Sequence, residues 1–174
     1  DAPRSLPRTL GPYRTGSGDP TTRLSNGDFL RATYTPDGPG TLRLTWNADP
    51  AHLDESEVQA EAWGTGSEWL LAGVEAITGH TDRPVMFPDA HPAVERALRL
   101  TRIARIGASG DVYHQLLPTI IAQRITAGEA LRQWVRLCQE LGEPAPGPTE
   151  VTDGLLLPPS PASLHRRPAW WFHP

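Results

Sequence analysis

Residues 113–134 constrain the fold of this chain most, because they predict two amphipathic helices joined by a very short corner. Apolar residues recur at i, i+3, i+4, i+7 and i+8 in the first helix, where we expect one buried face formed by Tyr113, Leu116, Leu117, Ile120 and Ile121. Thr126 and Glu129 match a capping box that begins a second helix. That helix is lined by Ala130, Trp134, Leu137, Cys138 and Leu141 and stops at Gly142. The polar pair Gln123 and Arg124 is therefore exposed between two buried helices.

The first half of the chain predicts a small antiparallel sheet. Phe29–Thr35 and Thr41–Trp46 alternate in polarity around the turn sequence 36–40, which indicates a β-hairpin with one buried face. The alternation of Val58, Ala60 and Ala62 suggests a further strand. A second capping-box pattern, Thr65 and Glu68, predicts a helix with an apolar stripe formed by Leu70, Leu71, Val74 and Ile77.

The predicted fold class is α+β, in three parts. Residues 1–20 form an irregular N-terminal arm with one short strand around 10–14, and residues 21–82 form the sheet domain with its helix. Residues 83–174 form a helical domain, in which Pro92 begins a helix to about residue 100. Residues 143–161 form a proline-rich connection to a short element at 161–165.

Composition excludes several classes of function. One cysteine and six histidines without metal-ligand spacing predict neither a disulfide nor a metal site. There is no run of 18 apolar residues, so no membrane span is expected. The single cysteine favours a reducing, cytoplasmic setting. The net charge is −4, but residues 91–174 carry 9 Arg and 7 acidic residues, a net of +2. If the partner is nucleic acid, this half must bind it.

The corner sequence Ile120-Ile121-Ala122-Gln123-Arg124-Ile125-Thr126 resembles that of helix-hairpin-helix DNA glycosylases, in particular the 3-methyladenine (alkylation-repair) branch. The segment Pro159-Ser-Pro-Ala-Ser-Leu164 is also similar to a motif of that branch. The resemblance implies an antiparallel sheet domain followed by part of an all-α glycosylase domain. It implies excision of alkylated purines from double-stranded DNA by a monomer of the bacterial cytoplasm, associated with the nucleoid. It implies no metal or redox cofactor.

The resemblance also implies site residues. Gln123 and Arg124 match the wedge that fills the gap left by a flipped base, although a merely solvated loop would have the same content. Tyr113 falls where an aromatic residue lines the base pocket, or it is a core residue. Alkylated purines are cationic and bind aromatic faces, which makes Trp63, Trp69 and Trp170 further pocket candidates. The paired Arg166 and Arg167 are candidate phosphate contacts or simply exposed side chains.

Two features of the glycosylase family are missing from the sequence. There is no glycine-rich hairpin, and no Asp matches the catalytic position that follows it, so we expect both beyond residue 174. The chain alone then holds no catalytic residue and is predicted to be inactive. Two alternatives are a non-catalytic DNA-binding or interaction module and another base-specific helix-hairpin-helix glycosylase.

Overall fold

A computed structural model describes residues 5–47, 57–83, 89–101 and 105–172 of the chain. The fold is α+β, as predicted, with a four-stranded antiparallel sheet in the order β1-β2-β3-β4 and helices on both sides of it. The strands are β1 (Thr22–Ser25), β2 (Asp28–Thr35), β3 (Gly38–Thr45) and β4 (Gln59–Gly64). The helices are α1 (Leu6–Leu10), α2 (Ser67–Ala72), α3 (Val74–Ile77), α4 (Pro92–Thr101), α5 (Val112–Ile121), α6 (Ala127–Leu141), α7 (Thr149–Thr152) and α8 (Pro161–His165).

The central hairpin has the predicted position and register. Strands β2 and β3 pair from Asp28↔Thr45 to Thr35↔Gly38, so the turn lies at 36–37. The predicted third strand is also present, since β4 pairs with β3 from Gly40↔Gly64 to Thr45↔Gln59.

The expectation of one buried face on this hairpin is wrong, because both faces of the sheet are covered. One face carries the cluster formed by Leu6, Leu10, Tyr13, Phe29, Leu42, Leu44, Trp46, Leu70 and Ile77. The other face carries a smaller cluster formed by Leu30, Ala32, Ala145, Leu155 and Leu157. The alternation of β2 therefore separates two apolar layers and does not separate core from solvent.

Residues 6–13 of the N-terminal arm are helical, residues 14–20 are irregular as expected, and the strand expected around residues 10–14 does not form. Residues 6–10 are helical, and a 3₁₀ helix follows at Gly11–Tyr13. Leu6, Leu10 and Tyr13 are buried in the first cluster. Pro7 in the first turn of α1 favours this helix, because its fixed φ is already helical and its missing N–H is not needed there.

The two predicted capping boxes have opposite outcomes. The box of Thr126 and Glu129 is present in full at the start of α6. The box of Thr65 and Glu68 is not, because α2 begins at Ser67 after Gly66 without a side-chain cap. The helix also breaks at Gly73, which leaves Leu71 43% exposed while Leu70 and Ile77 are buried.

Helices α4, α6 and α8 begin or end where the sequence predicts. Helix α4 begins at Pro92, α6 ends at Leu141 before Gly142, and α8 spans the short element predicted at 161–165. The proline-rich connection contains more structure than expected, since it forms α7 and places Leu155 and Leu157 in the second cluster. In the described part of the chain, no helix is both long enough and apolar enough to cross a membrane.

Candidate functional site

The corner between α5 and α6 is a short, solvent-exposed turn. Residues 122–126 are all exposed. The backbone N–H of Ala122 still donates to the carbonyl of Pro118, so α5 is intact up to its last turn. On the other side, the backbone N–H of Thr126 donates to Glu129 Oε2 over 3.0 Å, and the backbone N–H of Glu129 donates to Thr126 Oγ1 over 3.3 Å. Both helix ends that meet at the corner are therefore hydrogen-bonded.

The capping carboxylate has a lowered pKa. Hydrogen bonds from the hydroxyl and the backbone N–H of Thr126 favour the charged form and lower the pKa of Glu129. An ionised Glu129 also complements the positive end of the α6 dipole.

The two predicted wedge residues have different conformations at this corner. Gln123 turns back on α5, where its Nε2 donates to the carbonyl of Thr119 over 3.1 Å. Arg124 has φ +65°, and within the described ranges it is the only residue other than glycine with positive φ. No hydrogen bond or ion pair joins its side chain to another described residue. The structure thus presents Arg124, rather than Gln123, as the projecting side chain.

The left-handed conformation of Arg124 has a cost. A Cβ in this region approaches the following carbonyl, which costs roughly 1–2 kcal/mol, and helices usually end here with glycine. Strained backbone of this kind persists where the surrounding structure imposes it and is concentrated at functional sites. The positive φ of Arg124 therefore makes it a candidate functional residue.

Helix α5 is held on the sheet by a buried polar network. His114 is only 2% exposed, and its Nδ1 lies 2.9 Å from Thr33 Oγ1 on β2. Its Nε2 lies 2.9 Å from Thr21 Oγ1. Asp111 caps α5 by accepting from the backbone N–H of His114, and it also accepts from the Thr33 hydroxyl.

Helix α6 joins the same network through Trp134. The Nε1 of Trp134 donates to Asp19 Oδ1 over 3.0 Å, and the Thr21 backbone N–H donates to the same oxygen over 2.9 Å. The Trp134 and His114 rings lie 5.9 Å apart, between their centroids. The two helices that flank the corner are therefore fixed to the sheet by side chains that are all buried.

Electrostatics in this network keep His114 neutral. Burial, followed by the charge of Arg31, lowers the pKa of His114 to about 4. A proton on Nδ1 fits the geometry, because the Thr33 hydroxyl donates to Asp111 and its oxygen can accept from Nδ1. Burial opposes ionisation of Asp111, but hydrogen bonds from His114 and Thr33 outweigh it and hold the pKa of Asp111 below its usual value.

An arginine completes the network. Arg31 is buried on β2, where its Nη1 donates to the carbonyl of Tyr13 over 2.8 Å and to Thr22 Oγ1 over 3.1 Å. Its Nη2 lies 3.8 Å from Asp111 Oδ2. Burial lowers the pKa of Arg31, and the nearby Asp111 and Asp19 partly offset this. Since every member is buried, we interpret the network as a support for the corner and not as a binding site.

Beside the corner, an apolar groove of about 520 Å³ runs along α6. It is lined by Ile120, Ile121, Ile125, Glu129, Arg132, Gln133, Arg136, Leu137, Trp171 and Phe172. The aromatic pair comes from a 3₁₀ helix, Ala169–Phe172, that follows α8. The guanidinium carbons of Arg136 and Arg167 lie 5.5 Å and 5.3 Å from the centre of the Trp171 ring.

The four predicted pocket residues do not come together in the described structure. Trp63 packs against the second cluster and Trp69 against the first, on opposite faces of the sheet. Trp170 is 72% exposed, and its neighbour Trp171 lines the groove instead. Tyr113 donates through its hydroxyl to the carbonyl of Pro159 over 2.6 Å, and burial raises its pKa to about 12. This bond favours the interpretation of Tyr113 as a core residue.

The predicted phosphate contacts lie at the end of α8. Arg166 is exposed and is the residue that follows the helix. Arg167 is also exposed, but its guanidinium lies over Trp171. Arg167 therefore contributes to the edge of the groove, and both arginines are accessible to a ligand.

Sequence reasoning missed His114, Arg31 and Trp171. His114 was one of six scattered histidines, and only its position three residues after the cap Asp111 signalled a role. Arg31 lies in a strand whose alternation predicts a solvent-facing side chain.

Among the described residues, no group of three or more His, Cys, Asp or Glu side chains is arranged to hold a metal ion.

Comparison with known proteins adds no relative: no family model matches the chain, and no curated protein matches it.

Proposed function

We propose that this chain is the DNA-docking part of a base-excision glycosylase that removes alkylated purines after base flipping. The single observation that supports this best is Arg124, an arginine held in the left-handed conformation at an exposed corner between two anchored helices. The corner sequence also resembles that of the alkylation-repair branch of helix-hairpin-helix glycosylases, in which this corner supplies the wedge residue. The partner is double-stranded DNA with a damaged base.

A wedge at this position has a clear physical task. Rotating a base out of the duplex costs a few kcal/mol in lost stacking and pairing, and it leaves a gap. The planar guanidinium of Arg124 can stack on the neighbouring bases and donate hydrogen bonds to base edges or phosphates. Because the Arg124 side chain has no partner among the described residues, it breaks no intramolecular hydrogen bond or ion pair when it enters the gap.

The rest of the site supports insertion of that side chain. The network of His114, Thr33 and Trp134 holds α5 and α6 in place. The corner between them should therefore keep its conformation when Arg124 enters the duplex. The charge balance of +2 in residues 91–174 favours a polyanionic partner on this side of the protein. Arg166 and Arg167 are candidate phosphate contacts.

Hydrolysis of the N-glycosidic bond requires a carboxylate that stabilises an oxocarbenium-like sugar, as in other glycoside cleavage. Asp111 is not suited to this role, since it is buried and is occupied by His114 and Thr33. No Asp in residues 1–174 matches the catalytic position that the resemblance implies. We therefore propose that the catalytic Asp belongs to protein outside these residues, and that this chain alone binds without cleaving. The proposed reaction uses no metal or redox cofactor.

Binding to a duplex that lacks one base tests the proposal. Fluorescence anisotropy should show tighter binding to a duplex with a stable abasic analogue than to an intact duplex. Arg124→Ala should remove most of that preference, roughly tenfold in Kd, or about 1.4 kcal/mol. Arg83→Ala removes the same charge from an exposed site outside the basic segment 91–174 and is the matched control. Equal losses in the two variants would mean that only net charge matters and would contradict the wedge.

A further inference from the structure

Helix α5 exposes a row of large apolar side chains. Val112 is 73% exposed, Leu116 49% and Ile120 56%. These residues are spaced at i, i+4 and i+8, so they lie on one side of the helix over about 12 Å. Single exposed apolar residues are common on protein surfaces, but a contiguous apolar row usually marks a surface that another molecule covers.

The row on α5 continues into the groove beside the corner. Ile120 belongs to both, and Ile125 (42% exposed) and Phe172 (44% exposed) extend the apolar surface across the groove. The row and the groove therefore form one surface, which we call the α5–α6 face. It is defined by Val112, Leu116, Ile120, Ile125, Trp171 and Phe172.

The charges at the edge of the α5–α6 face are mostly positive. Arg132 and Arg136 line the groove, and Arg167 lies over Trp171. The carboxylate in the groove, Glu129, is engaged by the cap of α6. The Nε of Arg136 forms an ion pair with Oε1 of Glu140, one turn further along α6, over 2.7 Å. An occupant of this face meets an apolar floor and a basic edge.

Two observations favour a protein helix over a nucleic acid as the occupant. The apolar row has the i, i+4 spacing that packs against the ridges of a second helix. The ring of Trp171 already has two guanidinium groups over it, which leaves it poorly suited to stack on a nucleobase. Apolar side chains at helical spacing fit the floor, and carboxylates beside them fit the arginines.

We propose that the α5–α6 face is the docking surface for an amphipathic protein helix with acidic residues along its edge. This is helix-in-groove recognition, in which apolar anchors at i, i+4 and i+7 give most of the binding and charge gives the preference. The proposal is separate from DNA binding, because it depends on Ile120 and Arg136 and not on Arg124.

A pair of designed peptides tests this proposal. The probe is a stapled, fluorescein-labelled helix of about 15 residues with leucine anchors and glutamate edges, since a shorter unstapled helix would be marginal in water. The matched peptide carries lysine in place of each glutamate. The acidic peptide should bind the full chain at least about tenfold more tightly than the basic one. Arg136→Gln should reduce that preference.

Substitutions locate the site. Ile120→Glu should abolish binding of the acidic peptide, and Val94→Glu, at a 44% exposed apolar position on α4, should leave it unchanged. Circular dichroism should show that both variants remain folded. Arg124→Ala should not affect peptide binding, which distinguishes failure here from failure of the DNA proposal.

Three results would overturn the proposal. The first is equal affinity for the two peptides, and the second is retention of binding by Ile120→Glu. The third is evidence that a nucleic acid or a second copy of the chain occupies the α5–α6 face. Displacement of the peptide by a single-stranded oligonucleotide would assign the face to nucleic acid, and a dimer in analytical ultracentrifugation that Ile120→Glu dissociates would assign it to a second copy of the chain.

Discussion

The Nδ1 of His114 lies 2.9 Å from the hydroxyl oxygen of Thr33, and this contact joins helix α5 to the centre of the sheet. The two residues are separated by 81 positions in the sequence. The same hydroxyl donates to Asp111, the N-cap of α5, so one threonine fixes both the cap and the first turn of the helix.

Replacing Thr33 should therefore destabilise the whole protein. Thr33→Val keeps the shape but removes one buried hydrogen-bond partner from each of Asp111 and His114, at a cost of about 1–3 kcal/mol. Urea denaturation measures the change. Thr119→Val is the control, because Thr119 is exposed on the same helix and its hydroxyl only donates to the carbonyl of Gln115. A loss at Thr33 no larger than that at Thr119 would contradict the network as a support.

The neutral state of His114 predicts a loss of stability in mild acid. The pKa of His114 is lowered from 6.5 to about 4, so between these values the unfolded chain binds a proton that the folded protein does not. The free energy of unfolding then falls as pH decreases from 6.5 to about 4, by roughly 3 kcal/mol in total. The contribution is constant above pH 7.

Denaturation at a series of pH values, compared between the natural protein and His114→Asn, isolates this effect. The variant cannot titrate at residue 114, so its stability should fall less steeply across the same window. Parallel curves would show that His114 is already protonated in the fold, paired with Asp111.

Trp134 links α6 to the network, and its loss should be severe. The side chain is fully buried, so Trp134→Ala should reduce stability by about 3–5 kcal/mol. Trp134→Phe should cost about 1–3 kcal/mol, because it mainly removes the bond to Asp19. Trp170→Ala, at a 72% exposed site, should change stability by no more than about 0.5 kcal/mol. A mild effect of Trp134→Ala would mean that α6 does not face the sheet as described.

Glycine in place of Arg124 should separate stability from function. Arg124→Gly relieves the left-handed strain but adds freedom to the unfolded chain, so it should be as stable as Arg124→Ala or more stable by up to about 1 kcal/mol. Both variants should lose the preference for the duplex with the abasic analogue over the intact duplex. If the glycine variant is the less stable by more than about 0.5 kcal/mol, residue 124 does not adopt positive φ in solution.

Much of the fold could be predicted from local pattern. The hairpin of β2 and β3, the start of α4 and the whole of α6 follow from turn chemistry, a first-turn proline and a true capping box. The pattern at Thr65 and Glu68 is the same as at Thr126 and Glu129, yet it fails. The Thr65 hydroxyl contacts the carbonyl of Pro39 on β3 instead, at 3.5 Å, and no local sequence contains that contact.

The orientation of α5 could not be predicted for a similar reason. Its five periodic apolar residues indicate a single buried face, but Leu116 and Ile120 are exposed and His114 is buried. The helix is apolar around more than one side, so periodicity alone does not select which side meets the sheet. The selection comes from Thr33 and Thr21, whose hydroxyls provide partners for His114.

Insertion of Arg124 into a duplex is the central claim, and 2-aminopurine fluorescence tests it most directly. The probe is a duplex with 2-aminopurine beside a stable abasic analogue, since this base brightens when its stacking is disturbed. We predict that the natural chain raises the fluorescence, that Arg83→Ala does the same, and that Arg124→Ala binds without raising it. An equal rise with Arg124→Ala, or no rise with saturating natural protein, would contradict the wedge and with it the proposed role in base excision.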